Sequence, residues 1–519
     1  METIEQEHHF KALKTTLVEE ISRQLGTSEK LAESVIDLAF AGKSISYDWT
    51  WKEAPTSAEI YAEKLYNLQE QLSNEGLVLD GLHFPAVDES LECDYRALLE
   101  CIPTIQFVRC RFYSNGLLDT SGTRRTFSEC TYHSDWKVTH AWNIGNTGPL
   151  FDQCCFKQRV ELIADELGKS PLMEYTSVFS HCDLNELVLT DMVLDIPLFD
   201  PAKKKDTRLA SLDLKSCTFE ERVVISKLKG AAAVVLRSTV FNEKFTLIGS
   251  QCRKFVAVDT NFEKLADFYE SQFHEFHMEK SIFRDFAGFE KCAFGIDKPG
   301  PVTSITLRYV TFYSFINFRE ARFNQALDLR ATNRQHEPNF LDAAFSPTAL
   351  NKTDRETFRI IKHSFDAVGN RIEANKYFAH EMQAYRRELN KPKAKKERGN
   401  CRERFLLGLN AAFSSHGQDY GKALFWLCAA IAVNAAILAN HKYQWWLLPE
   451  PVQSWLWNIA APANEFANGF LPLRSLLSEK LQPLAFWVLI AMVLISTLTW
   501  HVLVAVSYTH LTLPTKRIV

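Results

Sequence analysis

The sequence predicts a mainly β fold, a solenoid of short coils with helices before and after it. Two observations lead to this prediction. From Phe241 to Phe294 an apolar residue returns at every tenth or eleventh position, and a small residue stands two positions before each of them. Neither a helix with about 3.6 residues per turn nor a strand with alternating side chains gives this spacing, whereas the stacked coils of a solenoid do.

The first 100 residues are predicted to be a helical region that leads into the solenoid. Leu13, Leu17 and Ile21 recur at a spacing of four, and residues 59–72 form a second amphipathic segment. The coil spacing replaces this helical period further along the chain. The solenoid is therefore predicted to span residues 101–345.

The residues of the coil interior follow from the geometry of an extended chain. Residues two apart point to the same side of a strand, so a large ring that faces a narrow interior needs a small inward neighbour. The residues predicted to fill the interior are Cys217, Phe219, Phe241, Cys252, Phe262, Phe273, Phe283, Cys292, Phe294 and Phe323.

A degenerate form of the same pattern precedes these coils. It consists of the pairs Cys110 and Phe112, Cys130 and Tyr132, Cys154 and Phe156, and Cys182 and Leu184. Because no C-x-x-C pair occurs in the sequence, the cysteines are predicted to be small buried residues rather than zinc ligands or redox pairs. Loops such as 199–206 lengthen the earlier coils and are predicted to form a binding surface.

The small-x-Phe and small-x-Leu units over residues 101–345 resemble a degenerate pentapeptide-repeat protein. The resemblance implies a right-handed, four-sided β-helix. A second segment, 358–389, is similar to the helical segment that follows the repeats in membrane-anchored members of that family. In those members a pair of transmembrane helices comes next.

Residues 346–390 are predicted to form a helical hairpin that caps the open end of the solenoid, where strand edges are unpaired. Gly369 and Asn370 separate two helical stripes. The stripes consist of Phe358, Ile361, Phe365 and Val368, and of Ala374, Phe378, Met382, Tyr385 and Leu389.

Two stretches near the C-terminus are predicted to be transmembrane helices. Residues 423–440 and 483–506 contain no Asp, Glu, Lys or Arg, and seven of the 11 tryptophans lie between 423 and 500. The linker 391–422 before them is basic, which predicts that the N-terminal region is cytosolic and that the loop 441–482 lies on the far side. Residues 507–515, SYTHLTLPT, resemble a translated sequencing adapter, so 507–519 is suspected to be a non-native tail.

Composition and motifs argue against several function classes. The net charge is -4, and residues 201–350 carry 22 Lys and Arg against 18 Asp and Glu, so neither nucleic-acid binding nor mimicry of an acidic duplex is favoured. The sequence lacks a phosphate-binding loop, a zinc-protease motif and a nucleophile elbow. We therefore predict no enzyme activity, no catalytic residue, no cofactor and no metal site.

Two functions remain open at this point. The first is a non-enzymatic scaffold in the bacterial inner membrane, multi-pass, which binds the lipid bilayer and an unknown cytosolic or membrane protein. The second is a two-span channel or transport-related protein regulated by the β-helix. A potassium-type filter would need a T-x-G-Y-G sequence between the spans. The loop 441–482 contains one glycine, Gly469, and no such sequence, so the scaffold is favoured.

Overall fold

The computed structural model describes residues 2–40, 57–84, 104–113, 116–142, 148–164, 175–200, 208–226, 232–295, 305–390, 399–443 and 485–510, with a few single positions between these ranges. The chain divides into two compact units, residues 1–352 and 353–519. The first unit contains N-terminal helices and a β-solenoid, and the second is helical in its described residues. Each unit is described by itself below.

The N-terminal helices are α1 Glu2–Leu25, α2 Glu29–Phe40 and α3 Ser57–Asn74. The predicted apolar stripe of α1 is buried at Leu13, Leu17 and Ile21. The side-chain amide of Gln24 pairs with the backbone of Val78, donating to its carbonyl at 2.7 Å and accepting from its N–H at 3.0 Å. Val78 lies in the first strand of the solenoid, which among the described residues has a neighbouring coil on one side only. Gln24 therefore satisfies the N–H and carbonyl of Val78 that no coil pairs with.

The solenoid is built from 33 short strands. The strands of the earlier coils are β1 Leu77–Asp80, β2 His83–Phe84, β3 Thr104–Val108, β4 Arg111–Phe112, β5 Gly116–Ser128, β6 Thr131–Tyr132, β7 Trp136–Trp142, β8 Phe151–Asp152, β9 Cys155–Ile163, β10 Leu172–Met173, β11 Phe179–Ser180, β12 Asp183–Thr190, β13 Val193–Leu194 and β14 Arg208–Lys215. The strands of the later coils are β15 Thr218–Phe219, β16 Val223–Ser226, β17 Ala232–Arg237, β18 Val240–Phe241, β19 Phe245–Ile248, β20 Gln251–Val258, β21 Asn261–Phe262, β22 Ala266–Asp267, β23 Gln272–Glu279, β24 Ile282–Phe283, β25 Ala287–Gly288, β26 Ala293–Phe294, β27 Ile305–Arg308, β28 Thr311–Phe312, β29 Ile316–Asn317, β30 Arg322–Phe323, β31 Leu327–Asp328, β32 Asn333–Arg334 and β33 Ala344–Phe345.

These strands confirm the predicted β-solenoid. They form sheets of 21, seven and five strands, and each strand pairs in parallel with strands of the neighbouring coils. The solenoid begins earlier than the predicted residue 101, because Leu77 already pairs with Ile105. The sequence pattern is hidden in this first coil because the half-buried Leu82 occupies the position at which later coils need a small residue.

Most of the described corners share one construction, whereas Met192 and Val310 are larger residues at the small position after Asp191 and Tyr309. A residue in the left-handed region comes first, the small residue follows it, and the large inward residue comes two positions after that. Asp259 has φ 54° and Glu270 has φ 56° at two such corners. A non-glycine residue in this region costs about 1–3 kcal/mol. The N–H groups of Asp259 and Glu270 donate at 3.0 Å to carbonyls of the next coil, which helps to hold this backbone in place.

Phenylalanine rings stack in columns through the solenoid interior. One column contains Phe219, Phe241, Phe262, Phe283 and Phe312, with successive ring centroids between 4.6 and 5.2 Å apart. A second contains Phe268, Phe289, Phe318 and Phe340, at 4.8 to 5.1 Å. The spacing of parallel strands, about 4.8 Å, brings flat rings into stacking contact. This repeated use explains why the chain has 37 Phe but only 6 Met.

The second unit contains α5 Arg355–Ala367 and α6 Arg371–Leu389, which follow α4 Pro347–Lys352 at the end of the first unit. Asp354 and Asn370 accept backbone N–H bonds at the starts of α5 and α6, and Gly369 has φ 74° between them. The described residues thus contain the predicted hairpin.

The predicted stripes of the hairpin need two corrections. Val368 is exposed because the helix ends there, and the buried stripe of α6 passes through Tyr377, Glu381 and Ala384, one position away from Phe378, Met382 and Tyr385. Glu381 is only 3% exposed. It accepts hydrogen bonds from Arg359 Nε at 3.1 Å and Lys362 Nζ at 3.4 Å, so an ion pair rather than an apolar contact fills this position.

Three further helices are α7 Gly399–Ser414, α8 Tyr420–Tyr443 and α9 Ala485–His510. The predicted spans 423–440 and 483–506 overlap α8 and α9. Within the described part of the chain, no helix has the length and apolar character needed to cross a membrane. The basic residues 391–398, most of the loop 441–482 and the tail from 511 onward lie outside the described residues.

Candidate protein-interaction surface

The residues predicted to fill the coil interior lie inside the solenoid. All ten are at most 1% exposed. Phe273 and Phe294 stack at 5.5 Å, and Phe294 and Phe323 at 5.1 Å. These residues make the walls rigid, but they present nothing to a partner. A binding surface must therefore come from the outward positions.

The small interior residues also connect neighbouring coils by hydrogen bonds. The thiol of Cys292 donates to the carbonyl of Phe268 at 2.9 Å, and the hydroxyl of Ser271 donates to the carbonyl of Leu247 at 2.6 Å. Cys154 and Cys182 make the same contact in two of the earlier coils, with the carbonyls of Phe127 and Phe151. Cys and Ser thus satisfy buried carbonyls that alanine would leave without this bond.

The buried thiols should give the solenoid a dependence on alkaline pH. Burial raises the pKa of the Cys217 thiol to about 11, from a model-peptide value near 9. Because the folded protein favours the neutral thiol, the protein loses no stability through Cys217 below about pH 9, where the thiol is neutral in the unfolded chain as well. As the pH rises from about 9 to about 11, the thiol ionises in the unfolded chain first, and the folded state loses stability relative to it. We expect the free energy of unfolding to fall by about 1–3 kcal/mol more in the natural chain than in Cys217→Ser between these values.

Urea unfolding of the two chains at several pH values measures this difference. Serine keeps the small size and the donor but does not ionise in this range. Equal pH slopes for the two chains would contradict a buried, neutral Cys217.

Exposed aromatic side chains lie on both sides of strand β28 in the later coils, with Tyr309 at the corner before the strand and Tyr313 and Phe315 after it. We call these three residues, together with His336, the aromatic corner. Phe315 and Tyr309 are 60% and 59% exposed, and the Phe315 ring stacks on His336 at 4.6 Å. Arg284 of the preceding coil lies over the Tyr313 ring at 5.7 Å.

The strands beneath the aromatic corner hold its side chains in fixed positions. β24, β28 and β32 pair in register, with Phe283 opposite Phe312 and Phe312 opposite Arg334. Inward-facing Phe312 stacks on Phe283, and the next residue, Tyr313, points outward. The strands therefore present these aromatic side chains outward beside Arg284, which pairs with Glu263 at 2.7 Å. Aromatic residues together with Arg are typical of the energetically important part of a protein interface.

A second outward feature is a shallow, open groove of about 600 Å³ at another corner. Its edges include the left-handed residues Glu270, Lys291 and Glu320, and its floor includes Ala293, where an outward methyl group replaces a longer side chain. Lys291 pairs with Glu270 at 3.6 Å and donates to the Tyr269 hydroxyl at 2.9 Å. The groove carries charges of both signs and suits an extended polar segment better than a compact ligand.

The predicted binding loop 199–206 lies outside the described residues from position 201 onward. The aromatic corner and the left-handed corner residues were missed by the sequence reasoning. A signal for the aromatic corner was present, because Tyr313 and Phe315 are large residues at positions next to and three after the inward Phe312. Only the coil register shows that they face outward.

Among the residues that the structure describes, no three His, Cys, Asp or Glu side chains come together as a metal site. Comparison of the chain with protein families, curated proteins and solved structures gives no match.

Proposed function

We propose that the protein is a membrane-anchored, non-enzymatic scaffold whose solenoid presents the aromatic corner to a protein partner. The observation that carries this proposal is the exposure of Tyr313 and Phe315 at one corner of the solenoid and of Tyr309 at the corner before it. Large aromatic side chains exposed together usually mark an interaction site. A regular wall with a shallow groove suits contacts with proteins better than the enclosure of a small molecule.

We further propose that the solenoid is a right-handed, four-sided β-helix of the pentapeptide-repeat type. The support is the repeated unit of a small residue followed two positions later by a ring, over more than ten corners of the described chain. At most of these corners Phe stands at the large inward position, and the small residue two positions before it is also buried.

Membrane anchoring is supported by the outward surfaces of α8 and α9. Ala423, Ala491 and Leu498 are buried in this unit, whereas large apolar residues on both helices are exposed. The exposed residues are Leu424, Phe425, Trp426, Ile431, Val433, Met492, Val493, Leu494 and Trp500. A helix pair that buries two alanines and a leucine and has a large apolar outer surface suits a lipid environment better than water.

We propose a cytosolic N-terminal region and a far-side loop 441–482 in a bacterial inner membrane. Labelling of single cysteines with a membrane-impermeant reagent in intact cells tests this topology. A cysteine in the loop 441–482 should be labelled, and one at position 393 should not. Labelling at 393 from outside would overturn the assignment.

Crosslinking and pull-down from membranes test the scaffold function. We expect the double variant Tyr309→Ser with Phe315→Ser to lose a crosslinked partner, with affinity weakened by roughly tenfold or more. Tyr113→Ser is the matched control, since it removes an exposed aromatic from an earlier coil and should keep the partner. A parallel deletion of 199–206 shows whether that loop contributes.

Unchanged partners in the aromatic-corner variant would refute the role of this surface. Robust ion flux from purified protein in liposomes would favour the two-span channel over the scaffold.

A further inference from the structure

We propose that α7 lies in the membrane surface and binds the anionic headgroup layer of the bilayer with its outer face. This inference rests on the proposed membrane anchoring and adds a lipid class and a binding element to it. Its basis is the division of α7 into two faces, the exposed apolar residues on one of them, and the charge around that face.

One face of α7 packs within the second unit. Glu403 accepts a hydrogen bond from the Tyr385 hydroxyl on α6. Ser414, on the same face near the helix end, is buried and donates to Asn410. Glu403 is itself exposed, so the packed part of this face runs from Leu407 through Asn410 to the buried Ser414, which are three and four residues apart.

The opposite face is apolar and open. Phe405 and Leu406 are 66% and 63% exposed, and Arg402 lies on the same side one turn earlier. Leu409 and Phe413 continue this side and are half-buried. A face with large apolar side chains and a basic residue beside them is typical of a helix at the boundary between headgroups and acyl chains.

Contacts at the start of α8 fix the position of this outer face. Phe413 packs edge-to-face on Trp426 at 5.6 Å, and Trp426 Nε1 donates to the carbonyl of Ala412 at 3.2 Å. Trp426 and the neighbouring Phe425 are themselves exposed. The outer face of α7 is therefore continuous with the apolar surface of α8 that we propose to be in lipid, and Trp426 stands at their junction.

The charge of this region matches an anionic surface. Residues 391–422 carry eight Lys and Arg against three Asp and Glu. Within the described part of the chain, Arg402 on the outer face forms no ion pair, and the neighbouring Glu403 accepts the hydrogen bond from Tyr385. Arg404 is half-buried and lies on the opposite side of the helix. Anionic headgroups would supply the missing countercharges, and a zwitterionic surface would not.

Hydrogen–deuterium exchange of the full chain in lipid vesicles tests the proposal. One set of vesicles contains phosphatidylcholine alone, and the other contains phosphatidylcholine with an equal amount of phosphatidylglycerol. We expect amide exchange in residues 399–414 to be roughly fivefold slower in the anionic vesicles, from the contribution of Arg402. Arg402→Glu should lose this difference. Two control variants should keep it: Arg404→Glu on the opposite side of α7, and Lys376→Glu, an exposed charge change on α6.

Phe405→Asp with Leu406→Asp should speed exchange in both kinds of vesicle. Flotation of the vesicles reports separately whether the chain is incorporated. Incorporation without any effect of lipid charge on residues 399–414 overturns the lipid proposal and leaves membrane anchoring intact. Slowed exchange only after addition of cytosolic protein would assign the face to a protein and would also overturn it. Failure of incorporation into both vesicles would overturn the anchoring and this inference together.

Discussion

Replacement of Phe273 by alanine is expected to destabilise the solenoid by about 3–5 kcal/mol. The ring is fully buried, and its centroid lies 5.0 Å from Phe276, 5.5 Å from Phe294 and 5.7 Å from Phe255. Each coil of a solenoid contacts only its neighbours, so distant residues cannot close the cavity. Urea unfolding followed by circular dichroism measures the loss in free energy of unfolding.

Phe315→Ala is the matched control for this substitution. It removes the same ring from an exposed position, so its effect on stability should stay within about 0.5 kcal/mol. Similar losses for the two variants would show that burial in the coil does not decide the stability of these rings.

Replacement of Cys154 by leucine should be nearly as harmful. Cys154 is buried, and its thiol donates to the carbonyl of Phe127 at 3.5 Å in the preceding coil. Leucine adds volume at a position where the inward ring of Phe156 leaves room only for a small residue, and it removes the donor. We expect a loss of about 2–4 kcal/mol in the free energy of unfolding.

Cys154→Ser separates size from chemistry in the same assay. Serine keeps both the small volume and the donor, so the variant should stay within about 1 kcal/mol of the natural chain. If leucine were tolerated as well as serine, the small-residue rule for the coil interior would be wrong.

The solenoid could be predicted because its interior repeats one steric rule. Phe262, Phe273 and Phe283 stand at the spacing that a narrow coil imposes, and a small residue precedes each of them. The start of the solenoid could not be predicted in this way. In the first coil the half-buried Leu82 stands where later coils have a small residue, so the pattern is absent there. A steric constraint that repeats from coil to coil leaves a pattern in the sequence. The first coil is not subject to this constraint, so its sequence does not show the pattern.

The surface was less predictable than the interior. Glu381 interrupts an apolar stripe because Arg359 and Lys362 come from another helix to pair with it, and such a contact leaves no regular spacing. The aromatic corner likewise depends on which residue after Phe312 faces outward. A single sequence contains these residues but not the three-dimensional neighbours that give them a role.

Alkaline carbonate extraction of membranes from cells that express the full chain is the most direct test of a membrane-held scaffold. Carbonate releases proteins held at the surface by charge, whereas helices embedded in lipid stay in the pellet. We expect the chain to remain in the membrane pellet with an integral membrane marker. Its recovery in the supernatant with a soluble marker would contradict the proposal that α8 and α9 hold the solenoid at the bilayer.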